Sequence, residues 1–291
     1  MVETLAKVTI DEIFEYEERV YLDPSAKYDS DNSIRQKSSF GNHLYSSHVF
    51  ENLNPDLIAV EYNEIKSFGR LLKRDKAATI NSATMELRRF DRIVRFYLTI
   101  KKEPFSSRGK KNKSLLEGLV EEIKLVVDIS KSKEVNTNSP QYKALKDMVK
   151  LIASGLSLKK DTYKKYGDKR GKSKQLDTDE EYVTLCLLDS LSGKRSSLLT
   201  ADTDYINLFA VIPRVLGSQD YQPHNQFFCD SLAEFFPNLF YINREGGIEL
   251  VDFDFVIDFI KYRRSGPISA KIKTELSKMW EEKAYLFNER K

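Results

Sequence analysis

The residues best suited to chemistry lie in the stretch SSLLTADTD, residues 196–204. An apolar run ending at Leu199 is followed by Thr200 and then by Asp202 and Asp204. This pattern predicts a buried strand of an open α/β sheet that ends in acidic side chains. Such sheets bind ligands at the carboxyl ends of their strands. Carboxylates at that place are suitable ligands for Mg²⁺ or Mn²⁺.

A second predicted strand also ends in a carboxylate. The segment VYLD, residues 20–23, is followed by Pro24, which ends a strand. Ser25 is close enough in sequence to orient Asp23, and Thr200 would orient the carboxylates in the same way. Taken alone, Asp23 is better explained as a turn residue or a helix N-cap.

Glu86 is expected in the first turn of a helix that follows a third short strand, residues 77–80. Either Ser82 or Thr84 is a suitable cap for that helix. A carboxylate in a first turn also interacts favourably with the helix dipole, so Glu86 alone could be purely stabilising.

A fourth acidic position opens another predicted helix. The residues Thr178 to Glu181 have the pattern of a capping box, which places Asp179 in the first turn and Asp177 just before it. This helix leads directly into the strand of SSLLTADTD. Four carboxylates in one crevice would repel each other, and one or two divalent cations would relieve the repulsion.

The order of these four contexts resembles the PIN domain, a ribonuclease family, through the segments VYLD, MELRRF, DEEYVTLCLL and LLTADTDY. The resemblance covers about residues 19–25, 76–98 and 176–245. It implies a three-layer α/β/α fold with a mainly parallel central sheet, and a metal-dependent nuclease acting on single-stranded RNA. The implied catalytic residues and ligands of Mg²⁺ or Mn²⁺ are Asp23, Glu86, Asp179 and Asp202, with Asp204 as a further ligand. Asp179 is preferred to Asp177 because its spacing to Val183 is usual for the family.

Positive charge is concentrated in two polar segments, residues 101–113 and 159–174, which carry net charges of +5 and +6. The whole chain carries +3, so the remainder carries −8. Both segments are predicted to be loops, and this asymmetry favours a polyanionic partner, with RNA favoured over DNA by the resemblance. Solvated loops are the simpler interpretation of either segment alone. The residues expected to contact nucleic acid are Lys110, Lys111, Lys164, Lys165, Lys169 and Arg170.

We expect residues 1–291 to form a single PIN-like domain with two additions. Residues 101–175 are predicted to be a basic helical insertion built around a hairpin, residues 114–155, that acts as a lid, a clamp or a docking site. Residues 265–291 are predicted to be a C-terminal helical extension. Either addition could contact a protein partner or a second copy of the chain.

Other classes of protein are disfavoured by composition. Two cysteines in apolar surroundings and three scattered histidines do not have the spacing of a zinc site. No apolar run approaches the ~18 residues of a membrane span, and the acidic N-terminal segment is unlike a signal peptide, so a cytoplasmic protein without membrane contact is expected.

Three alternatives to a nuclease remain open. A PIN-like module could bind RNA or a protein without catalysis. IELVDFDFV, with Asp252 and Asp254, has some likeness to the haloacid dehalogenase phosphatases, although it stands near the C-terminus rather than the N-terminus. The acidic residues could also be caps in a plain α/β interaction module.

Overall fold

The structure is a computed structural model that describes residues 7–26, 40, 53–99, 107–155, 172–216, 226–243, 245–252 and 270–287. The polar composition of residues 27–50 predicts a long loop, and of these residues the structure describes only Phe40. The apolar spacing of residues 252–262 predicts a helix, and of these residues the structure describes only Asp252.

Six strands and nine helices make up the described part of the chain. The strands are β1 (Lys7–Val8), β2 (Arg19–Leu22), β3 (Ala77–Ala78), β4 (Ser196–Thr200), β5 (Asn238–Ile242) and β6 (Ile248–Leu250). The helices are α1 (Ile10–Tyr16), α2 (Pro55–Leu72), α3 (Asn81–Thr99), α4 (Ser107–Ser132), α5 (Pro140–Gly155), α6 (Lys172–Leu191), α7 (Asp204–Leu216), α8 (Gln226–Glu234) and α9 (Ala270–Lys283), and a 3₁₀ helix (Ala284–Phe287) follows α9. None of the described helices is long and apolar enough to cross a membrane.

The strands form one mixed sheet with the order β1-β6-β5-β4-β2-β3. β3, β2, β4 and β5 pair in parallel, whereas β6 and β1 add two antiparallel pairings. The expectation of a mainly parallel sheet is therefore wrong at one edge. The cause is local: a tight turn at Asn243–Gly247 reverses the chain, with Gly246 at φ 83°, and a short turn can only join antiparallel strands.

Two hydrophobic cores lie on the two faces of the sheet. Side chains alternate along β4, so that Leu198 belongs to one core and Leu199 to the other. The core that includes Leu199 is covered mainly by α1 to α4, and the core that includes Leu198 mainly by α5 to α9. The molecule is thus an α/β protein with helices on both faces, compatible with a three-layer arrangement.

Some elements follow directly from local sequence. The dipeptide Asn54-Pro55 predicts a helix start, because proline is favoured in the first turn. α2 begins there, with Pro55 in its first turn and with Asn54 as the N-cap that accepts a hydrogen bond from the amide of Asp56. The apolar run NLFYI, residues 238–242, predicts a strand, and the structure has it as β5.

Two helix starts differ from the predictions. α3 begins at Asn81, so Ser82 and Thr84 are not caps, and Glu86 lies in its second turn. α6 begins at Lys172, so Asp179 lies about two turns inside the helix rather than at its start. Lys, Gln and Leu in the preceding residues are strong helix formers, which explains why the helix extends past the expected cap.

The predicted hairpin at residues 114–155 is also wrong. α4 packs on α2 and α3 in one core, and α5 packs on α6, α7 and α9 in the other. The connection between them crosses the edge of the sheet, where the amide of Thr79 donates to Lys133 O (3.0 Å) and the amide of Val135 donates to Thr79 O (3.0 Å). The two apolar helix faces fill opposite sides of the sheet, so these helices belong to the body of the domain.

The first basic segment differs from its prediction, whereas the C-terminal helix agrees with it. Residues 107–113 are helical, because α4 begins at Ser107 rather than Ser114, whereas residues 156–171 lie outside the described ranges. α9 is present as predicted, and its Leu276 and Trp280 are buried in the core shared with α5.

Candidate active site at the carboxyl ends of the parallel strands

Asp23 follows β2 and is the most enclosed of the acidic residues predicted to act. The residue is only 7% exposed. Oδ2 accepts hydrogen bonds from the Ser25 amide (3.0 Å), the Ser25 hydroxyl and Thr200 Oγ1 (3.1 Å), and Oδ1 accepts one from the Tyr205 hydroxyl (3.1 Å). Burial raises the pKa of Asp23, although the hydrogen bonds from Ser25 and Thr200 oppose the rise. Asp23 is therefore held in a fixed orientation by groups from two strand ends and from α7.

Ser25 and Thr200 join the ends of β2 and β4. Their hydroxyl oxygens are 3.0 Å apart, the Ala201 amide donates to Ser25 Oγ (3.0 Å), and the Asp202 amide donates to Thr200 Oγ1 (3.0 Å). Thr200 is fully buried. Both residues predicted to orient carboxylates thus contact Asp23, and they also fix the backbone that carries Asp202.

Asp202 and Asp204 lie between β4 and the first turn of α7. Asp202 is half-buried, and its Oδ1 accepts a hydrogen bond from the Asp204 amide (3.0 Å) at the start of the helix. Asp204 is exposed. Asp202 therefore caps α7 with one oxygen, and its charge is close enough to Asp23 to raise the pKa of that residue.

Asp179 reaches this edge of the sheet from α6. Burial raises the pKa of Asp179 well above its ordinary value, and the charges of Asp23, Asp202 and Asp204 raise it further. A hydrogen bond with Tyr205 lowers it. The charges that act on Asp179 most strongly are therefore those of other aspartates, and they disfavour its ionised form.

Tyr205 and Tyr182 are site residues that the sequence pattern did not single out. The Tyr205 hydroxyl lies between Asp23 and Asp179 and has one hydrogen, so it can donate to only one of them at a time. The Tyr182 hydroxyl donates to Leu22 O (2.6 Å), just before Asp23. Both rings are fully buried, and their apolar character masks the role of their hydroxyls. The available signal was position: Tyr182 is one helical turn after Asp179, and Tyr205 directly follows Asp204.

Glu86 lies at the margin of the cluster. It is half-buried on α3, and its charge contributes to raising the pKa of Tyr182. Asp23 contributes more to that pKa than Glu86 does. The structure thus brings Asp23, Asp202 and Asp204 close enough to Asp179 to raise its pKa, whereas Glu86 is not among the main influences on the pKa of Asp179 or Asp23.

The residues fit a divalent cation in chemical type and in charge. Carboxylate oxygens and the mutual repulsion of Asp23, Asp179 and Asp202 favour a hard cation such as Mg²⁺ or Mn²⁺. Their arrangement is less favourable, because no group of three or more His, Cys, Asp or Glu side chains among the described residues is positioned to hold a metal ion. Asp23, in particular, directs its oxygens at protein donors.

The remaining predicted positions lie elsewhere. Lys110 and Lys111 are exposed in the first turns of α4. Asp252 follows β6, which runs antiparallel to β5, so it lies at the opposite edge of the sheet from Asp23. The other four basic residues (Lys164, Lys165, Lys169 and Arg170), together with Asp254 and the side chain of Asp177, lie outside the described part of the chain.

No family model, curated protein or solved structure matches this chain.

Proposed function

We propose that this protein is a divalent-metal-dependent nuclease of the PIN-like type that hydrolyses phosphodiester bonds, with single-stranded RNA as its favoured substrate. One observation carries the proposal: Asp23 and Asp202 follow β2 and β4, adjacent parallel strands, and the charges of both raise the pKa of Asp179.

The sheet topology supports a ligand site at this place. From β2 the chain adds β3 on one side, and later adds β4 and β5 on the other. The strand order therefore reverses between β2 and β4, which makes their carboxyl ends the switch point where open α/β sheets bind ligands. The parallel β3-β2-β4-β5 core with helices on both faces is also what a PIN-like three-layer fold requires.

The negative cluster supports the use of a metal. Asp23, Asp179 and Asp202, with Glu86 and Asp204, would hold Mg²⁺ or Mn²⁺. When bound, such a cation supplies Lewis-acid activation of water and stabilises the leaving oxygen of a phosphodiester. Ser25, Thr200 and Tyr205 hold the carboxylates in position, since their hydroxyls contact Asp23 directly.

A PIN-like module that binds RNA or a protein without catalysis is the second candidate. The four hydrogen bonds that Asp23 accepts favour it, because they satisfy that carboxylate without a cation. The two candidates differ in whether the acidic cluster catalyses the cleavage of a bound nucleic acid.

The test is cleavage of labelled single-stranded RNA and DNA with Mn²⁺, Mg²⁺ or chelator. The variant is Asp202→Asn, whose amide oxygen can still accept the Asp204 amide. The control is Asp75→Asn, an exposed residue just before β3, at the opposite edge of the sheet. We expect metal-dependent cleavage of RNA that Asp202→Asn reduces by at least about 100-fold, because a lost ligand removes several kcal/mol of charge stabilisation.

The outcomes separate the candidates. Cleavage that Asp202→Asn retains, or that persists in chelator, would contradict the proposal. No cleavage combined with salt-sensitive RNA binding would favour the non-catalytic module. If the protein neither cleaves nor binds RNA or DNA, nucleic acid is excluded as the ligand of both candidates.

A further inference from the structure

One face of α3 presents cations and exposed apolar side chains on a single line. Met85, Arg88, Arg92 and Phe96 follow each other at spacings of three or four residues, which places them on one side of the helix. All four are exposed, Met85 by 45% and Phe96 by 60%. We name these four residues the α3 stripe.

The two arginines of the α3 stripe are available to a ligand. Arg88 and Arg92 form no ion pair with another described residue, whereas Arg95 on the flank of the helix is paired with Asp91 at 2.7 Å. A guanidinium offers several donors in a planar fork and is suited to phosphate. Among the described residues, no carboxylate pairs with Arg88 or Arg92, so both guanidinium groups can bind an anionic ligand.

The exposed apolar members do not contribute to the core. Phe96 contacts the ring of Tyr97 edge-on, with centroids 6.1 Å apart, and remains mostly exposed. Single exposed apolar side chains are ordinary on protein surfaces. Here two of them bracket two arginines on one line, which is the combination used to bind single strands: cations for the backbone and a ring for a base.

The α3 stripe begins at the candidate active site. The Ser82 hydroxyl, in the first turn of α3, donates to Glu181 Oε2 (3.1 Å), and Glu181 lies two residues after Asp179 on α6. From Met85 to Phe96 the stripe spans about 16 Å, at ~1.5 Å per residue. A strand bound along the stripe would therefore lead toward the part of α6 that carries Asp179.

The far end of the stripe approaches another basic segment. The hydroxyls of Thr84 and Ser130 are 2.7 Å apart, so the beginning of α3 lies beside the end of α4 and the two helices are antiparallel. The first turns of α4, with exposed Lys110 and Lys111, must then lie toward the C-terminal end of α3. Positive charge continues beyond Phe96 in the same direction.

We propose that the α3 stripe binds the single-stranded RNA on which the candidate active site acts: Arg88 and Arg92 contact phosphates, and Phe96 stacks on a base. This inference rests on the proposed function, since it names the surface that delivers the substrate. An acidic protein segment would also match the arginines, but it would not explain a stripe that leads into a negatively charged site or the exposed ring at its other end.

The test measures binding in chelator, where cleavage cannot interfere. Fluorescence anisotropy of labelled single-stranded RNA and DNA is followed over a KCl series. The variants are Arg88→Gln/Arg92→Gln and Phe96→Ala. The control, Lys143→Gln/Lys278→Gln, removes the same charge from exposed positions on α5 and α9. These two helices cover the other face of the sheet. Thermal melting confirms that each variant is folded.

We expect the double arginine variant to bind RNA about tenfold or more weakly, and its plot of log K against log salt to be shallower by about 1.4, since each lost phosphate contact removes ~0.7 from a single-strand slope. Phe96→Ala should bind about fivefold or more weakly with the slope unchanged, because stacking is not ionic. The control should bind like the wild type.

Three results would overturn the inference: wild-type protein that does not bind RNA, a double arginine variant no weaker than the control, or stripe-dependent binding that prefers DNA. Stripe-dependent binding without cleavage would keep this inference and reject the nuclease. If the arginine variant retains full metal-dependent cleavage and unchanged RNA binding, the nuclease proposal is kept and the role of the α3 stripe is rejected.

Discussion

Asp179 is the residue at which the electrostatics of the candidate site are most unfavourable in the absence of a cation. Burial and the charges of Asp23 and Asp202 all raise its pKa, and the hydrogen bond with Tyr205 offsets them only in part. Between the ordinary carboxyl pKa and this raised value, the folded protein binds more protons than the unfolded chain. The free energy of unfolding of the metal-free protein therefore falls as pH rises through that interval.

Asp179→Asn should consequently stabilise the metal-free protein. We expect its Tm in chelator at about pH 7.5 to exceed that of the wild type by ~2–4 °C, the shift that about 1 kcal/mol produces in a domain of 150–250 residues. The advantage should shrink toward about pH 5, where more of the wild-type carboxyl is protonated. Differential scanning calorimetry of both proteins, with Asp75→Asn as control, measures this. A lower Tm for Asp179→Asn at the higher pH would show that the Tyr205 hydrogen bond outweighs the repulsion.

At the scale of elements, α4 holds one face of the sheet together. It packs on α2 and α3, and its Val126 side chain lies against Gly69 of α2. A Cβ placed on Gly69 would be 2.7 Å from Val126 Cγ2, too close for an unstrained contact. Glycine at position 69 thus allows α2 and α4 to approach closely.

Gly69→Ala should therefore destabilise the protein by about 1–3 kcal/mol through overpacking. Adding Val126→Ala should recover part of that loss, so that the two changes are non-additive. Gly118→Ala is the matched control, because no heavy atom lies within 4 Å of its added Cβ, and it should stabilise α4 by ~0.5–1 kcal/mol. Urea denaturation of the wild type, Gly69→Ala, Val126→Ala, the double variant and Gly118→Ala gives the free energies of unfolding that this comparison needs. Equal stability of the Gly69 and Gly118 variants would contradict the close packing of α2 on α4.

The sequence predicted the elements that are specified by a few consecutive residues, such as a helix cap or an apolar run. The cap Asn54–Pro55 and the apolar strand Asn238–Ile242 are of this kind. β1 and β6 were missed because strands of two and three residues exist only through their pairing with each other and with β5. The sequence also could not predict that α4 and α5 lie on opposite faces of the sheet. Two helices with apolar faces can pack either on each other or on the two sides of a sheet, and the apolar pattern is the same in both cases.

At the scale of the whole molecule, the candidate site depends on segments far apart in the chain. Asp23, Asp179 and Asp202 come together only because β2 and β4 are neighbours and α6 packs beside them. The sequence could predict the acidic positions from the ends of strands and the starts of helices. It could not predict that Tyr205 bridges two of them, because a buried tyrosine in an apolar pattern looks like a core residue.

The central claim is that this acidic cluster binds a divalent cation, and titration of Mn²⁺ followed by the electron paramagnetic resonance signal of the free ion tests it directly. We expect the wild-type protein to remove Mn²⁺ from solution at one or two sites, Asp202→Asn to lose or strongly weaken that binding, and Asp75→Asn to retain it. Wild-type protein that leaves the free Mn²⁺ signal unchanged, or Asp202→Asn that binds as tightly as Asp75→Asn, would contradict the claim.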